Sequence, residues 1–448
     1  MSEVKFKFLE FFKKFHQNNE SYFVLILLFL LVSIPMYHII NSFAIAVLFL
    51  TAFFFINRKP IKINFDFAVV LLFYLTMILS LFWTKNTNET QNALLKETPL
   101  LIIPFFFISI KTLSDISKNN ILKYYSISMV GFACYFLLSA IGKYLLVNNS
   151  SVFFSHSLVG KDLNAIHFSV YISLAIIYFY TKHYKTRKDY LQLSILVIFL
   201  ILLDSKTIQF TNVLLFSIYN LFYTKSANRL RLRNLVLVIF ATSSLFFYDN
   251  LKEKIEFEFQ LNTENNIGHV VIPKEKVGQN IISMKQAWSN KSFNQNDYFS
   301  GAAFRVYQFR MFLEIMQEEP IFFQGLGLNA SYKKLEEKGI KYNVFLGNQS
   351  TEGYQTKNFH NQYIQIFAEL GIVGFLSFLL ILFISLKNAF QTRNFLHISF
   401  SILMISLFLT ESFLWRQRGV VFFTTFYCFF NLPTNIIKLT PKQSDKVK

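Results

Sequence analysis

The feature that most constrains this chain is a series of apolar runs, each near the length of a bilayer span and parted by short polar stretches. A helix needs about 20 consecutive apolar residues to cross the hydrocarbon core, within a range of about 17–25. Such runs lie near 22–35, 39–56, 65–83, 99–110, 122–147, 168–180, 190–203, 207–223, 232–248, 363–386, 395–414 and 419–437, about twelve in all. Lipid offers the backbone no hydrogen-bond partner, so each run must satisfy its own amides and carbonyls as a helix. The expected class is an all-α polytopic membrane protein of about 12 transmembrane helices.

Composition agrees: 53% of the 448 residues are apolar and 18% aromatic. A net charge of +18 is a possible signal for nucleic acid, but the Lys and Arg residues stand in clusters between apolar runs and not on one amphipathic face. Membrane topology explains that spacing and leaves no nucleic-acid partner. Cys134 and Cys428 both fall inside apolar runs, so no disulfide is expected to staple a loop. The polar, basic stretch Met1 to Glu20 has no small-residue cleavage site after the first run. The first run therefore reads as a retained anchor.

Orientation follows from the basic residues. Clusters such as Arg58-Lys59-Lys62, Lys182-Lys185-Arg187-Lys188 and Lys225-Arg229-Arg231-Arg233 fall on one side. The opposite short loops carry only Lys85, Lys96, Lys161, Lys206, Arg416 and Arg418. The positive-inside rule then puts both termini in the cytoplasm. Residues 1–248 form nine helices, 249–362 a large mainly helical outer loop domain, 363–437 three more helices and 438–448 a cytoplasmic tail. From Asp249 to Asn361 the loop holds 13 Lys and Arg against 13 Asp and Glu. Its balance argues against a patch for polyanions.

Within the loop, Phe304, Tyr307, Met311, Phe312, Ile315 and Met316 recur at helical spacing, and Pro320 ends that helix. Gly325-Leu326-Gly327 reads as a turn that lets backbone approach a ligand closely. Phe359-His360-Asn361 directly precedes an apolar run, which places His360 at a helix N-terminus on the membrane surface. There the imidazole stays neutral and can take a proton near neutral pH, or it serves only as a hydrogen-bonding cap. Arg305 is suited to phosphate oxygens by its planar fork; a salt bridge to Glu314 is the plain structural account. Lys206, Arg416, Arg418, Asp204 and Glu411 are charges at the poor-side membrane edge. Such groups face a cavity or partner, or else snorkel to headgroups or pair with one another. Lys143 is the clearest charge inside a run. The motifs of nucleotide hydrolysis, zinc proteolysis and serine hydrolysis are missing, as is any Asp-x-Asp pair in the loop. No cofactor and no metal are expected.

The order Arg305, Pro320, Gly325-Leu326-Gly327, His360-Asn361-Gln362-Tyr363 and Glu369-Leu370-Gly371-Ile372-Val373-Gly374 resembles the signature region of the O-antigen ligase and O-antigen polymerase family. The motif covers roughly Phe304 to Leu376, and the remainder is similar in topology. The resemblance implies a bacterial inner-membrane glycosyltransferase with a periplasmic loop, drawing its glycan from undecaprenyl diphosphate. The acceptor is lipid A core for a ligase or another glycan for a polymerase, with membrane lipids as surroundings. It also implies that Arg305 and His360 are required, and that Ser205-Lys206 stands where the family usually has Ser-Arg. Lys keeps the charge and loses the bidentate fork. On this reading His360 and Arg305 are catalytic, while Lys206, Arg416, Arg418, Glu411, Asn361, Gly325 and Gly327 bind substrate. A protein O-oligosaccharyltransferase remains a further alternative. A polysaccharide transporter is the competing class, and the scarcity of charges inside the runs argues against it.

Overall fold

The computed structural model describes residues 19–56, 64–110, 112–160, 162–224, 280–348 and 352–435. In chain order its helices are α1 (Asn19–Ser33), α2 (His38–Ile56), α3 (Phe65–Leu79), α4 (Thr87–Glu97), α5 (Pro99–Ile110), α6 (Asp115–Val147), α7 (Ser155–Val159), α8 (Ala165–Thr181), α9 (Arg187–Leu202) and α10 (Lys206–Phe222). Across the loop follow α11 (Met284–Ser289), α12 (Gly301–Glu318) and α13 (Ser331–Lys341), then α14 (Gln362–Thr392), α15 (Phe395–Phe408) and α16 (Gln417–Asn431). Strand structure is slight: Leu113–Ser114 pairs with Thr434–Asn435 and Asn280–Ile282 with Asp297–Phe299, both in parallel. The protein is thus an all-α membrane-type chain.

Each apolar run of the sequence falls on a helix, except 232–248, which lies outside the described residues. Among the described residues, four helical stretches are long and apolar enough to cross a membrane: Phe65–Phe82, Thr87–Ile110, Asp115–Val147 and Gln362–Thr392. Shorter apolar helices include Glu20–Ser33, His38–Phe53, Ala165–Thr181 and Phe395–Phe408. One element departs from expectation. Helix α4 was legible neither as a span nor as an amphipathic stripe, because Thr87-Asn88-Glu89-Thr90-Gln91-Asn92 is polar on every face. Tertiary contacts define it: Asn86 caps it by accepting from the Glu89 amide, while Thr90, Ala93, Leu94 and Glu97 are buried.

The bundle core forms around α8 and α16, whose side chains are buried nearly all round. Helices apolar on every face belong at the centre of a bundle. The Tyr125 hydroxyl of α6 donates to the Tyr171 carbonyl of α8 at 2.8 Å, and Phe400, Phe422, Phe426 and Phe430 pack ring against ring. A second apolar cluster belongs to the loop, with Phe293, Phe299, Phe304, Tyr307, Met311 and Ile315 among its members. It explains the helical spacing of α12. The other face of α12 pairs Arg310 with Glu314 at 3.0 Å, and Lys338 of α13 reaches Glu314 at 2.9 Å and Glu318 at 2.6 Å. Glu314 is therefore taken by Arg310 and Lys338, and Arg305 is left for other partners.

The loop is fastened to the bundle where α14 breaks. Gly371 has φ +63°, which interrupts the helix. The carbonyls freed by that break must find donors. Ala368 and Glu369 accept from the amides of Leu326 and Gly327, both at 2.9 Å, while the Ile372 amide donates to Phe322 at 2.8 Å. On the far side the Lys85 amide donates to the Leu326 carbonyl at 2.9 Å and the Thr90 hydroxyl to that of Leu328 at 2.7 Å. The Gly325-Leu326-Gly327 turn is thus wedged between α14 and the start of α4.

Candidate functional site

Arg305 sits in the second turn of α12, on the edge that faces away from the loop core. Ser300 starts the helix by accepting from the Ala303 amide, and Ala303, Phe304, Tyr307 and Gln308 are buried. Arg305 Nη1 donates to the Gly301 carbonyl at 2.9 Å, and Nε and Nη2 both donate to the Thr410 carbonyl at 3.3 and 2.9 Å. Two nitrogens on one acceptor fix the plane of the guanidinium. Thr410 lies in the connection from α15 to α16, so a loop-domain helix holds a bundle segment.

That connection carries Glu411, which is only 7% exposed. It is held in place from the first turn of α14. Tyr363 donates its hydroxyl to the Ile405 carbonyl at 3.1 Å, and Asn361 Nδ2 donates to the Leu409 carbonyl at 3.0 Å. Gln362 Oε1 accepts from the Leu414 amide at 2.8 Å, and Gln365 Oε1 from the Ser412 hydroxyl at 3.4 Å. These bonds bracket Glu411 on both sides.

His360 immediately precedes the helix and has φ +48°, a left-handed conformation uncommon outside Gly, Asn and Asp. Its amide donates to Asn358 Oδ1 at 2.9 Å, and the Phe359 amide before it donates to Gln365 Oε1 at 3.3 Å. The turn aims the ring at the connection. Nδ1 lies 3.6 Å from Glu411 Oε2, while Arg305 Nη2 lies 3.7 Å from Glu411 Oε1. One buried carboxylate therefore stands between a cation and an imidazole, using a different oxygen for each. The His360 ring also meets the Phe304 ring edge to face at 5.6 Å.

Burial pushes the Glu411 carboxyl up, but bonding from His360 and the charges of His360, His167 and Arg305 outweigh it, and the net shift is downward. Glu411 is accordingly an anion at neutral pH. An anion beside Nδ1 favours the proton on that nitrogen and leaves Nε2 as the base. The group can bind an anionic oxygen at the open edge of Arg305 and accept a proton on His360. The side chains of both are partly exposed, 36% for Arg305 and 29% for His360, against 10% for Glu411.

The other predicted residues divide. Arg416 is exposed and, among the described residues, forms no ion pair. Lys206 opens α10, and Thr211 of α10 is hydrogen-bonded to Ser406 of α15 at 2.8 Å. Arg418 is committed elsewhere: its guanidinium donates to the carbonyls of Asp162 and Met36. Asn361 is the cap of α14, accepting from the Ile364 amide at 3.1 Å with Oδ1 while Nδ2 holds Leu409. Its amide thus ties the start of α14 to the 409–416 connection.

Gly325 and Gly327 also change role. Their φ values are +71° and +101°, and an added Cβ would collide with the Glu369 backbone at Gly325 and with Thr84 at Gly327. The close approach expected of this turn is real, and it is to the protein's own backbone. Gly325→Ala is expected to destabilise the chain by more than the about 1–3 kcal/mol of left-handed strain, because backbone atoms cannot step aside. A lowered thermal midpoint in detergent would show it; an unchanged midpoint would refute the wedge.

Sequence reasoning passed over Gln362, Gln365 and Ser412, the neutral groups that hold the Glu411 segment, and His156 and His167, whose rings sense the charges of Glu411 and Arg416. The only available signal for the glutamines was their i, i+3 spacing after His360-Asn361, which puts both on one helix face.

No curated protein matches the chain. A family model described as O-antigen ligase matches residues 191–379, a span holding Lys206, Arg305 and His360 and ending before Glu411, Arg416 and Arg418. Over that span, and in the order of its motif residues, the chain is similar to the O-antigen ligase family.

Proposed function

We propose that the chain is an inverting, metal-independent glycosyltransferase of the O-antigen ligase type. It moves a glycan from undecaprenyl diphosphate to an acceptor hydroxyl, on lipid A core, at the periplasmic face of the bacterial inner membrane. The observation that carries this reading is Glu411 held between Arg305 at 3.7 Å and His360 at 3.6 Å. As the anomeric C–O bond to the diphosphate breaks, negative charge grows on the leaving oxygens. Arg305 meets it with an already oriented guanidinium, and Arg416 and Lys206 are further cations assigned to the diphosphate. On the opposite face of the sugar the acceptor oxygen forms the new bond and passes its proton to His360, which releases it to water. Glu411 stabilises the imidazolium formed in between. Attack opposite the leaving group inverts the anomeric centre.

The test is deletion of the gene, with lipid-linked intermediates and surface glycan examined together. Accumulation of long lipid-linked polymer is the expected result, because a ligase consumes finished chains. Single lipid-linked repeats would identify a polymerase of the same family. An unchanged glycan profile would overturn the transferase reading altogether.

A further inference from the structure

A cavity lies along α6, apart from the Arg305–His360–Glu411 group. It has a volume of about 610 Å³, within the range of about 300–1,000 Å³ typical of ligand sites. One wall is a stripe of α6 running from Ser128 through Gly131 and Ser139 to Lys143, and the other is the α1–α2 turn with Val159, Gly160, Asp162 and Leu163. Fifteen residues of helix span about 22 Å, which is about half of a 40–45 Å bilayer with its headgroups. The groove thus has the length of one leaflet.

Its polar end has three charges. Arg418 is only 5% exposed, and with Nη1 and Nη2 given to backbone carbonyls its Nε has no partner among the described residues. The carbonyls leave its charge uncompensated, and a buried, unpaired donor is costly to leave unmet. Lys143 donates only weakly to the Ser157 carbonyl at 3.4 Å, and exposed Asp162 lines the same end.

We propose that this groove binds one zwitterionic glycerophospholipid, an ethanolamine-headed one. Its phosphodiester meets Arg418 Nε and Lys143, its ammonium meets Asp162, and one acyl chain lies along Ser139, Gly131 and Ser128. The Arg418 Nε–H, unmatched among the described residues, suits an oxygen of a singly charged phosphodiester. A diphosphate would bring more negative charge against the Asp162 carboxylate. The site is independent of the transfer chemistry proposed above.

The full chain, purified in mild detergent, is incubated with mixed micelles of phosphatidylethanolamine, phosphatidylglycerol or a polyprenyl phosphate, and retained lipid is counted by native mass spectrometry. One phosphatidylethanolamine per chain is expected. Nothing lies within 4 Å of a Cβ at Gly131, so Gly131→Leu fills the groove without disturbing the fold and favours the helix. Gly131→Leu and Lys143→Ala should each cut retention about ten-fold, the equivalent of one charged contact. Asp162→Asn should remove the preference for the ethanolamine head over glycerol. No retained lipid, equal retention by the wild-type chain and Gly131→Leu, or preferential retention of the polyprenyl phosphate would each overturn the proposal.

Discussion

Replacing His360 by Ala is expected to lower glycan transfer by about 10²–10⁴-fold, the usual loss when a positioned general base is removed. The amount of inserted protein should not change. The ring is partly exposed, touches Phe304 by its edge and stands 3.6 Å from Glu411, so its removal opens no core cavity. The backbone at His360 is left-handed, with φ +48°, and Asn tolerates that conformation better than Ala. His360→Asn therefore separates ring from backbone: transfer should fall as far as in the Ala variant, with thermal stability kept. Transfer would be followed from a lipid-linked donor to a defined acceptor, alongside the detergent melting midpoint. Wild-type transfer in either variant sinks the role of His360 as base.

Arg305→Ala is expected to cost about 10²–10³-fold in kcat, the range found when a preorganised charge-stabilising donor is lost. KM should move little, because the charge that Arg305 meets develops only as the diphosphate departs. Lys at this position keeps the charge but cannot set two nitrogens on the Thr410 carbonyl. Arg305→Lys should therefore recover only a small part of the rate. A kcat equal to the wild type in the Ala variant would show that Arg305 merely ties α12 to the 410 segment. A rise in KM with kcat unchanged would make Arg305 a ground-state binding group instead.

How far the site was legible can be judged from its three central residues. His360 and Arg305 could be picked out because their neighbours carry a local signal. An Asn cap and an apolar run follow His360, and an amphipathic stripe surrounds Arg305. Glu411 was visible only as a charge on the wrong side of a membrane edge. Its joining of the other two depends on the eight-residue connection 409–416 between α15 and α16, and no periodicity describes such a connection. Arg418 shows the converse. In sequence it looks equivalent to Arg416, yet two residues farther on is about 200° around the helix, at 100° per residue, and its guanidinium is committed to the Asp162 and Met36 carbonyls. The glycines of the Gly325-Leu326-Gly327 turn were correctly read as a close approach, but which partner they approach is a long-range fact.

By itself the sequence determined the medium and the helices that its apolar runs form. Apolar runs in lipid have no choice but the helix, since the backbone must bond within itself, and the stripe on α12 fixed a buried face before any fold was known. Only the tertiary structure decided which side chains meet. The break at Gly371 frees two carbonyls, the 325–327 turn takes them, and that junction sets the loop domain against the bundle. With the domain so seated, Arg305 reaches Thr410 and Glu411 can stand between Arg305 and His360. Contacts between residues far apart in sequence depend on how packed helices are docked, and hydrophobic patterning encodes the faces that pack but not their docking.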